Sequence, residues 1–509
     1  MRNMRLARSV GSFGLVAALG TTMLSLSATG LAQESTPAGD STPVVAGCET
    51  IASGLYNPRG ITVAKDGTVY IAEAGDGGDT ADYATPQAGT PEASDPATTH
   101  GDTGRITAVT PDGKQSVFVD GLTSYVFGTE VVGASGVAID GDTMYVSIGG
   151  PGPQTADFPP ADDADSVIAI DMATGETTNI ARIGDYEREN NPDPNAVDSN
   201  LGGIAVGTDG LVYVADSGGN TIYTVDPATG DLSVLAVLDG LPTPDGAPNP
   251  TRHNDATVDP VPTGLVADPN GGVYVSLLTG AILWGVPGSA QILHVAADGT
   301  VTEAASGLNL AVGVAVDPAG TIYATELSTN FFATPPAAGT VVRIADDGTV
   351  ERVLPDLPLP YGIAFGPDGS LYVEIMASAE PGADPTGAVL KCAPASLDAS
   401  NATATEASTP SAAVNAQTAA DSVEVSMVDL AFEPSDLTIP ADTDVSIVLT
   451  NNGAAPHNFY LEDLDVHSDT LSPGDTATVT VNLPAGTYTY YCNVPGHRQA
   501  GMEGTLVVK

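Results

Sequence analysis

Positive charge is scarce in this sequence, where 15 Lys and Arg residues stand against 63 Asp and Glu and give a formal net charge of −48. Nucleic acids and anionic membranes bind clustered cations, so this composition argues against both as partners. Three cysteines, at positions 48, 392 and 492, are too few for a scaffold dense in disulfides or a zinc site of four thiolates. Six His residues without a His-x-His pair exclude a full multicopper oxidase.

Long apolar runs are absent after residue 32. The first 32 residues combine a basic start at Arg2, Arg5 and Arg8 with an apolar stretch that ends in small residues at Ala32. This pattern predicts a signal peptide over residues 1–32 and a secreted, periplasmic or cell-surface protein. The stretch is nearly long enough to span a bilayer, so an uncleaved membrane anchor is the alternative. Residues 33–47 form a polar linker.

One pattern recurs six times between residues 48 and 396. Each copy has a Gly, alternating apolar residues, a turn rich in Asp, Asn, Gly and Pro, and a strand that contains Tyr. Period-2 alternation on both sides of such a turn predicts a β-hairpin, and a second hairpin follows most copies. The copies run over residues 60–70, 136–145, 203–213, 264–274, 313–323 and 362–372.

Two hairpins make a four-stranded unit, and six such units around an axis make a β-propeller. An isolated sheet would expose both faces to water, whereas stacked blades bury them. A linear solenoid is the rival arrangement, but it lacks the even count of four strands and needs capping ends. The sequence therefore predicts an all-β fold with a six-bladed β-propeller over residues 48–396.

The two ends of the repeat region predict how the ring closes. The last repeat supplies a third strand over residues 387–392 and then stops, while residues 48–55 look like the outer strands of other repeats. Pairing of these segments would place Cys48 beside Cys392, and export makes a disulfide between them chemically reasonable. Two unpaired thiols are the alternative.

In residues 57–75 and 361–373 the repeat region resembles the secreted ScyD/ScyE-type propellers, which are relatives of NHL-repeat proteins. The resemblance covers nearly all of residues 48–396. It implies the propeller fold but hardly specifies a chemistry, because many unrelated functions share one fold.

Polar residues before the repeat glycines suggest a site at the mouth of the propeller. Some propeller hydrolases hold a divalent cation with such residues, and here they are Asn57, Glu130, Asn200 and Asn309. Acidic residues that follow the repeat Tyr are a second set that could face a metal or a substrate. The alternative, which we favour, is that they cap turns or accept hydrogen bonds from amides. This second set is Glu73, Asp216, Glu326 and Glu374.

The composition changes after the repeats. Residues 397–421 consist almost entirely of small and polar residues, which predicts a flexible linker. From Ser422 the period-2 alternation returns and continues to the last residue. This pattern predicts a small Greek-key β-sandwich over residues 422–509.

Four residues of this second domain point to a metal. Cys492, His497 and Met502 share one stretch with four residues in each gap, and His457 lies upstream. Two imidazoles, one thiolate and one thioether form a soft set that suits copper cycling between Cu(I) and Cu(II), whereas zinc more often takes a further Cys or His. One loop between two strands could wrap the metal while His457 arrives from a distant strand. A sandwich without copper, in which Cys492 is a buried thiol, is the alternative.

In these motifs the domain resembles the cupredoxins of the plastocyanin, pseudoazurin and auracyanin types, over residues 422–509. The resemblance implies one type 1 copper ion with His457, Cys492, His497 and Met502 as ligands. It also implies that Asn458 ties the ligand loops together. The two four-residue gaps are closer to auracyanin-like domains, because plastocyanins have a shorter gap between Cys and His.

Three functional hypotheses follow. The first is an exported electron-transfer protein in which the copper domain carries one electron and the propeller docks a redox partner. The acidic composition favours a basic partner. The second is an enzyme whose propeller binds a small molecule while the copper domain relays the electron, and the third is an extracellular copper-binding or scaffold protein. The sequence favours the first and leaves open whether the protein is an enzyme.

Overall fold

The chain divides into two compact units, one that holds most of the residues up to Ala404 and one from Thr405 to Lys509. The computed structural model describes residues 45–397 and 422–509, so the predicted signal peptide, most of the polar linker and residues 398–421 lie outside the described residues. Internal gaps fall at residues 46, 79, 84–97, 128–129, 151–162, 196–197, 247, 250–251, 253–254, 281–282, 284–285, 330, 332–336, 346, 378–381, 383, 429–430, 434, 442, 444, 452–456, 462–465, 469, 472–474, 493 and 495–501.

Strands form most of the first unit, as the alternating repeats predict. In its first half they are β1 (Cys48–Leu55), β2 (Pro58–Val63), β3 (Val69–Glu73), β4 (Thr80–Tyr83), β5 (Thr98–Val109), β6 (Gln115–Phe127), β7 (Glu130–Val132), β8 (Ala134–Asp140), β9 (Thr143–Ile148), β10 (Ser166–Asp171), β11 (Thr177–Arg182), β12 (Leu201–Val206), β13 (Val212–Asp216), β14 (Thr221–Val225) and β15 (Leu232–Val237). A short helix, α1 (Ile183–Asn190), lies between β11 and β12.

The second half of this unit continues the series. Its strands are β16 (Leu241–Pro242), β17 (Thr257–Val258), β18 (Pro262–Ala267), β19 (Val273–Leu277), β20 (Ala290–Val295), β21 (Val301–Leu308), β22 (Ala311–Val316), β23 (Ile322–Glu326), β24 (Gly339–Ile344), β25 (Val350–Leu357), β26 (Ile363–Phe365), β27 (Leu371–Ile375) and β28 (Gly387–Cys392). Two 3-10 turns, Pro244–Gly246 and Pro394–Leu397, complete the described elements.

Within the described residues of the first unit, six antiparallel sheets stack in a closed series. In chain order they are built on β2-β3-β5-β6, β8 to β11, β12 to β15, β18 to β21, β22 to β25, and β26-β27-β28-β1. The first strands contact one another in this order, and β26 of the sixth sheet contacts β2 of the first. Such cyclic stacking of small sheets is propeller-like architecture.

The apolar cores of this unit lie between neighbouring sheets. Val167 of the second sheet packs in one cluster with Ile204 and Val214 of the third, and Ile183 at the start of α1 joins them. Full burial of each such side chain contributes about 1.5–3 kcal/mol to the free energy of folding. Stacked sheets are therefore more stable than separate ones.

The repeat glycine is required by the side chain that packs over it. A Cβ atom at Gly264 would lie 2.7 Å from the hydroxyl oxygen of Ser276 and 2.4 Å from the carbonyl oxygen of Val312 in the next sheet. A Cβ atom at Gly313 would likewise lie 2.7 Å from the hydroxyl oxygen of Thr325. Carbon atoms do not approach so closely without displacing their neighbours, so the close packing of sheets explains why the sequence repeats Gly at this position.

The ring closes through the N-terminal strand. β1 pairs antiparallel with β28, Cys48 stands opposite Cys392, and the two cysteines form a disulfide. The outer strand of the sixth sheet therefore comes from the beginning of the described chain. The structure contains both the strand pairing and the disulfide that the sequence predicts.

In its described residues, the second unit is a sandwich of two four-stranded sheets. Alternate residues of its central strands are buried, for example Val445, Ile447 and Leu449, and they meet Leu506 of the opposite sheet in one core. One sheet has the order β30-β29-β32-β34 and the other β31-β36-β35-β33. The strands are β29 (Ser422–Val428), β30 (Ala431–Glu433), β31 (Asp436–Ile439), β32 (Val445–Asn451), β33 (Tyr460–Leu461), β34 (Thr476–Val481), β35 (Gly486–Tyr491) and β36 (Glu503–Val508).

The predicted all-β fold class is confirmed by these sheets. Among the described residues, the α-helix α1 is the exception, and the sequence did not predict it. Only three of its eight residues are buried, Ile183, Gly184 and Glu187, so it has no apolar stripe to reveal it. Within the described residues, no helix has the length and apolar character that crossing a membrane requires.

Candidate metal centre

Strand pairing brings three of the four predicted ligand residues to one end of the second unit. Cys492 directly follows β35, and Met502 directly precedes β36, its antiparallel partner. His457 lies just before β33, which pairs with β35 through Tyr460 opposite Tyr491. The three side chains therefore belong to neighbouring ends of adjacent strands, although up to 45 positions separate them in the chain.

Backbone hydrogen bonds hold these residues in place. The N–H of Cys492 donates to the carbonyl oxygen of Met502 at 3.0 Å. His457 and Leu471 exchange two backbone hydrogen bonds, of 3.0 and 2.7 Å. The N–H of Asn458 donates to the sulfur of Cys492 at 3.5 Å, a contact that favours a negatively charged sulfur.

The three donors are buried away from water. His457, Cys492 and Met502 each have a relative exposure of 0%. Burial raises the pKa of the Cys492 thiol, and the backbone N–H groups of Asn458 and Val494 act in the opposite direction. A cation next to the sulfur supplies the compensation that a buried thiolate needs. This set of imidazole, thiol and thioether fits copper in the chemistry of its donors.

Aromatic rings form an apolar wall behind these donors. Phe459 stacks on Tyr490 with ring centroids 4.8 Å apart, and Phe432 meets Tyr490 edge-on at 5.0 Å. The hydroxyl of Tyr490 donates to the carbonyl oxygen of Ser435 at 2.9 Å, which fixes the ring. Buried rings of this size keep water from the donors and lower the local dielectric.

Asn458, which the sequence predicts to tie the ligand loops together, has contacts of that kind. Its side-chain amide donates to the hydroxyl oxygen of Thr470 at 3.2 Å, while its backbone N–H reaches Cys492. These two hydrogen bonds connect the segment that begins at His457 to Thr470 and to Cys492, at the end of β35.

Two further polar residues support the same segment and were missed by the sequence analysis. The side-chain amide of Asn451 donates to the carbonyl oxygen of Leu471 at 2.7 Å, and the N–H of Phe459 donates to the hydroxyl of Ser468 at 3.0 Å. Asn451 ends β32 at a fully buried position of an alternating strand. In the sequence, Asn451 is a polar residue at a position where the alternation predicts an apolar one, and this signal could have revealed its role. Ser468 has no such signal.

His497, the fourth predicted ligand, lies outside the described residues. Within the described part of the chain, no group of three or more His, Cys, Asp or Glu side chains could hold a metal ion. The structure accordingly gives no support to the predicted divalent cation at the propeller.

The four residues predicted at the propeller mouth are engaged within the protein. Asn57, in a left-handed conformation with φ 50°, donates from its amide to the carbonyl oxygen of Gly75 at 3.0 Å. Glu130 lies 4.0 Å from Arg59. Their two counterparts, Asn200 and Asn309, donate backbone N–H groups to acidic side chains at 2.9 and 2.7 Å.

Those acidic side chains belong to the second predicted set, and all four of its members accept hydrogen bonds from backbone amides. Glu73 accepts from Tyr56 at 2.7 Å, and Glu374 accepts from Gly362 at 2.9 Å. Asp216 and Glu326 accept from the two asparagines named above. The interpretation that these acidic residues accept hydrogen bonds from amides is confirmed.

Comparison with known proteins finds matches to the second unit. The model of the cupredoxin-like domain matches residues 401–508. Auracyanin-B of Chloroflexus aurantiacus is 33% identical over 126 residues, which cover 18% of this chain and 54% of that protein. Plastocyanin of Nostoc punctiforme is 38% identical over 96 residues, which cover 16% of this chain and 66% of that protein. The chain thus spans about half to two thirds of the length of these relatives.

The first unit has more distant neighbours among solved structures. The virginiamycin B lyase of Staphylococcus aureus matches 66% of this chain and 95% of its own, at 14% identity and a TM-score of 0.36. No functional conclusion follows from a likeness of this degree.

The C-terminal domain of this protein is cupredoxin-like. Such a domain implies copper binding and a blue copper module for electron transfer, and cupredoxins pass electrons to partner proteins.

Proposed function

We propose that the protein is an exported electron carrier with one type 1 copper ion, held by His457, Cys492, His497 and Met502. The observation that carries this proposal is the meeting of three buried donors at paired strand ends, with the Cys492 N–H donating to the Met502 carbonyl oxygen at 3.0 Å. This hydrogen bond holds together the two ends of the stretch between Cys492 and Met502, and His497 belongs to that stretch.

Each residue has a defined part in this proposal. Copper in such a site supplies reversible one-electron chemistry between Cu(I) and Cu(II). The two imidazoles and the Cys492 thiolate supply the strong donors, and Met502 supplies a weak one. The N–H of Asn458 stabilises negative charge on the sulfur, and the wall of Phe459 and Tyr490 excludes water. Because Cys492 and Met502 flank the paired strands β35 and β36, these two ligands would keep their positions in both oxidation states, which would keep the reorganisation on electron transfer small.

The wider proposal concerns compartment and partner. The N-terminal 32 residues direct the chain to the exterior or the periplasm, and the disulfide between Cys48 and Cys392 suits that oxidising environment. The propeller, which we take to be of the ScyD/ScyE type, docks a redox partner, and the net charge of −48 favours a basic one.

Copper stoichiometry and redox behaviour of the purified full chain test the ligand set. The expected result is one copper per chain and a reversible one-electron titration, both lost in His457→Ala and His497→Ala. His467→Ala is the matched control, because this exposed histidine stacks on Tyr460 and is not among the proposed ligands. Full copper retention in His457→Ala or His497→Ala would remove that residue from the set.

A further inference from the structure

Among the described residues, hydroxyl groups bridge four of the junctions between neighbouring sheets of the first unit. Ser217 donates to the carbonyl oxygen of Pro262 at 2.6 Å, and the other three bridges share one position in the repeat. Ser276 accepts a hydrogen bond from the N–H of Gly264 in its own sheet, at 2.9 Å, and donates to the carbonyl oxygen of Val312 in the next, at 2.9 Å. Thr325 repeats the arrangement: it accepts from the N–H of Gly313 at 2.8 Å and donates to the carbonyl oxygen of Tyr361, just before β26 of the next sheet, at 2.6 Å. Ser147 donates in the same way to the carbonyl oxygen of Gly202 at 2.5 Å.

Glu374 occupies this position in the sixth sheet, where the ring closes on the first. It lies two residues after the repeat Tyr372, as the three hydroxyl residues lie two after theirs. Its Oε2 accepts from the N–H of Gly362 at 2.9 Å, as a hydroxyl would. A Cβ atom at Gly362 would lie 2.2 Å from this oxygen and 3.3 Å from Ile61 of the first sheet, so the carboxyl group is enclosed between the two sheets.

This carboxyl group is poorly compensated for a buried charge. Glu374 has a relative exposure of 0%, and its Oε1 atom makes no hydrogen bond with the described residues. The positive charge of Arg59 on β2 lowers the pKa of Glu374, and the negative charge of Glu73 on β3 raises it. No ion pair within 4.0 Å joins the Glu374 carboxyl group to a described cation. The guanidinium group of Arg59 donates to the carbonyl oxygen of Val131 at 3.0 Å and lies over the ring of Tyr361, 5.0 Å from its centroid. Burial accordingly raises the pKa of Glu374 to about 8.

We propose that Glu374 is a pH-sensitive latch between the last sheet and the first. In its neutral form the carboxylic acid fits the enclosed space between β2, β26 and β27. In its ionised form it places an uncompensated charge there and weakens the junction. The disulfide between Cys48 and Cys392 holds the outer edge of the same sheet, so the latch loosens the inner strands while the ring stays covalently closed.

The sign of the pH dependence follows from linkage. The folded pKa lies above the ordinary value for Glu, so the stabilisation is complete below about pH 4 and is lost as the pH rises towards about 8. If the opened junction returns Glu374 to its ordinary pKa, the opening equilibrium constant increases about fiftyfold between about pH 6 and pH 8.

Hydrogen–deuterium exchange of the full, disulfide-intact chain tests the latch at these two pH values, after correction for the intrinsic pH dependence of exchange. Peptides from β2 and β27 should lose protection about fiftyfold more in the wild type than in Glu374→Gln. Peptides from β18, at the junction bridged by Ser276, serve as the internal reference. Asp368→Asn is the matched control, because this half-exposed carboxylate of the same sheet pairs with Lys391.

Equal pH dependence in the wild type and in Glu374→Gln would overturn the proposal. If the Gln variant fails to fold, Glu374→Thr supplies the comparison, since it restores the hydroxyl found at the other junctions. A pH-dependent loss at β2 that persists in the Thr variant would equally contradict it.

Discussion

Cys492 combines features that packing alone does not require. Its sulfur is buried, accepts an N–H from Asn458, and lies at a strand end beside the backbone of Met502. Apolar residues of similar volume could fill these positions without the cost of enclosing a thiol, an imidazole and a thioether together. The chemistry of the donors therefore explains the choice of residues better than their shape does.

Replacement of Met502 tests its part as the weak donor. In Met502→Leu the volume is nearly conserved, so the free energy of unfolding of the copper-free protein should change by less than about 1.5 kcal/mol. Loss of a thioether destabilises Cu(II) more than Cu(I), so the midpoint potential of the copper-loaded protein should rise. Redox titration gives the potential, and an unchanged potential would exclude Met502 as a ligand.

Gly264→Ala tests whether the repeat glycine is required by packing. The added Cβ would lie 2.4 Å from the backbone carbonyl oxygen of Val312 in the next sheet, so we expect a loss of about 1–3 kcal/mol in the free energy of unfolding. Gly486→Ala is the control, because its Cβ would meet only the ring of Tyr488, at 3.3 Å. Denaturant titration compares the two, and equal losses would argue against the packing explanation.

That Cys492 and Met502 lie close together could be predicted from their spacing, because residues at the two ends of one loop are close in sequence as well as in space. The metal and the place of His497 in its ligand set stay predictions. The support from Asn451 and Ser468 was not predictable in this way, since it depends on which strand ends meet. The hydroxyl bridges between sheets were missed for the same reason. A Ser within a repeat shows its partner only when the register with the next sheet is known.

At the scale of elements, each repeat contains its own turn, so hairpins and their order could be predicted from local patterns. The pairing of β1 with β28 was predictable because the last repeat lacked a fourth strand and the N-terminal strand belonged to no other repeat. α1 was not, since it lies in an insertion and its few buried residues form no helical stripe. Local alternation thus explains the sheets but not the segments inserted between them.

The disulfide should stabilise this closing sheet. Residues 344 positions apart are joined, for which loss of chain entropy in the unfolded state gives an upper limit of about 5–6 kcal/mol. In the double variant Cys48→Ser and Cys392→Ser we expect the free energy of unfolding of the propeller to fall by about 2–5 kcal/mol. Calorimetry measures the loss, and the copper absorption of the second unit is the control that should not change. No loss of stability would mean that strand pairing alone closes the ring.

At the scale of the whole molecule, the charge of −48 should dominate encounters with small redox reagents. Oxidation of the reduced protein by a cationic ruthenium ammine complex should slow as ionic strength rises from about 0.01 M to 0.5 M, because the Debye length falls from about 30 Å to a few ångströms. Oxidation by anionic ferricyanide should become faster over the same range. Stopped-flow rates test both, and rates that do not respond to salt would contradict electrostatic steering of a basic partner.

The central claim is a copper–thiolate bond at Cys492, and the most direct measurement is the absorption and EPR spectrum of the copper-loaded full chain beside a Cys492→Ser variant. We predict an intense charge-transfer band near about 600 nm and a type 1 EPR signal in the wild type, both absent from a folded Cys492→Ser protein. A folded wild type that binds copper without this band, or a variant that retains it, would contradict the account.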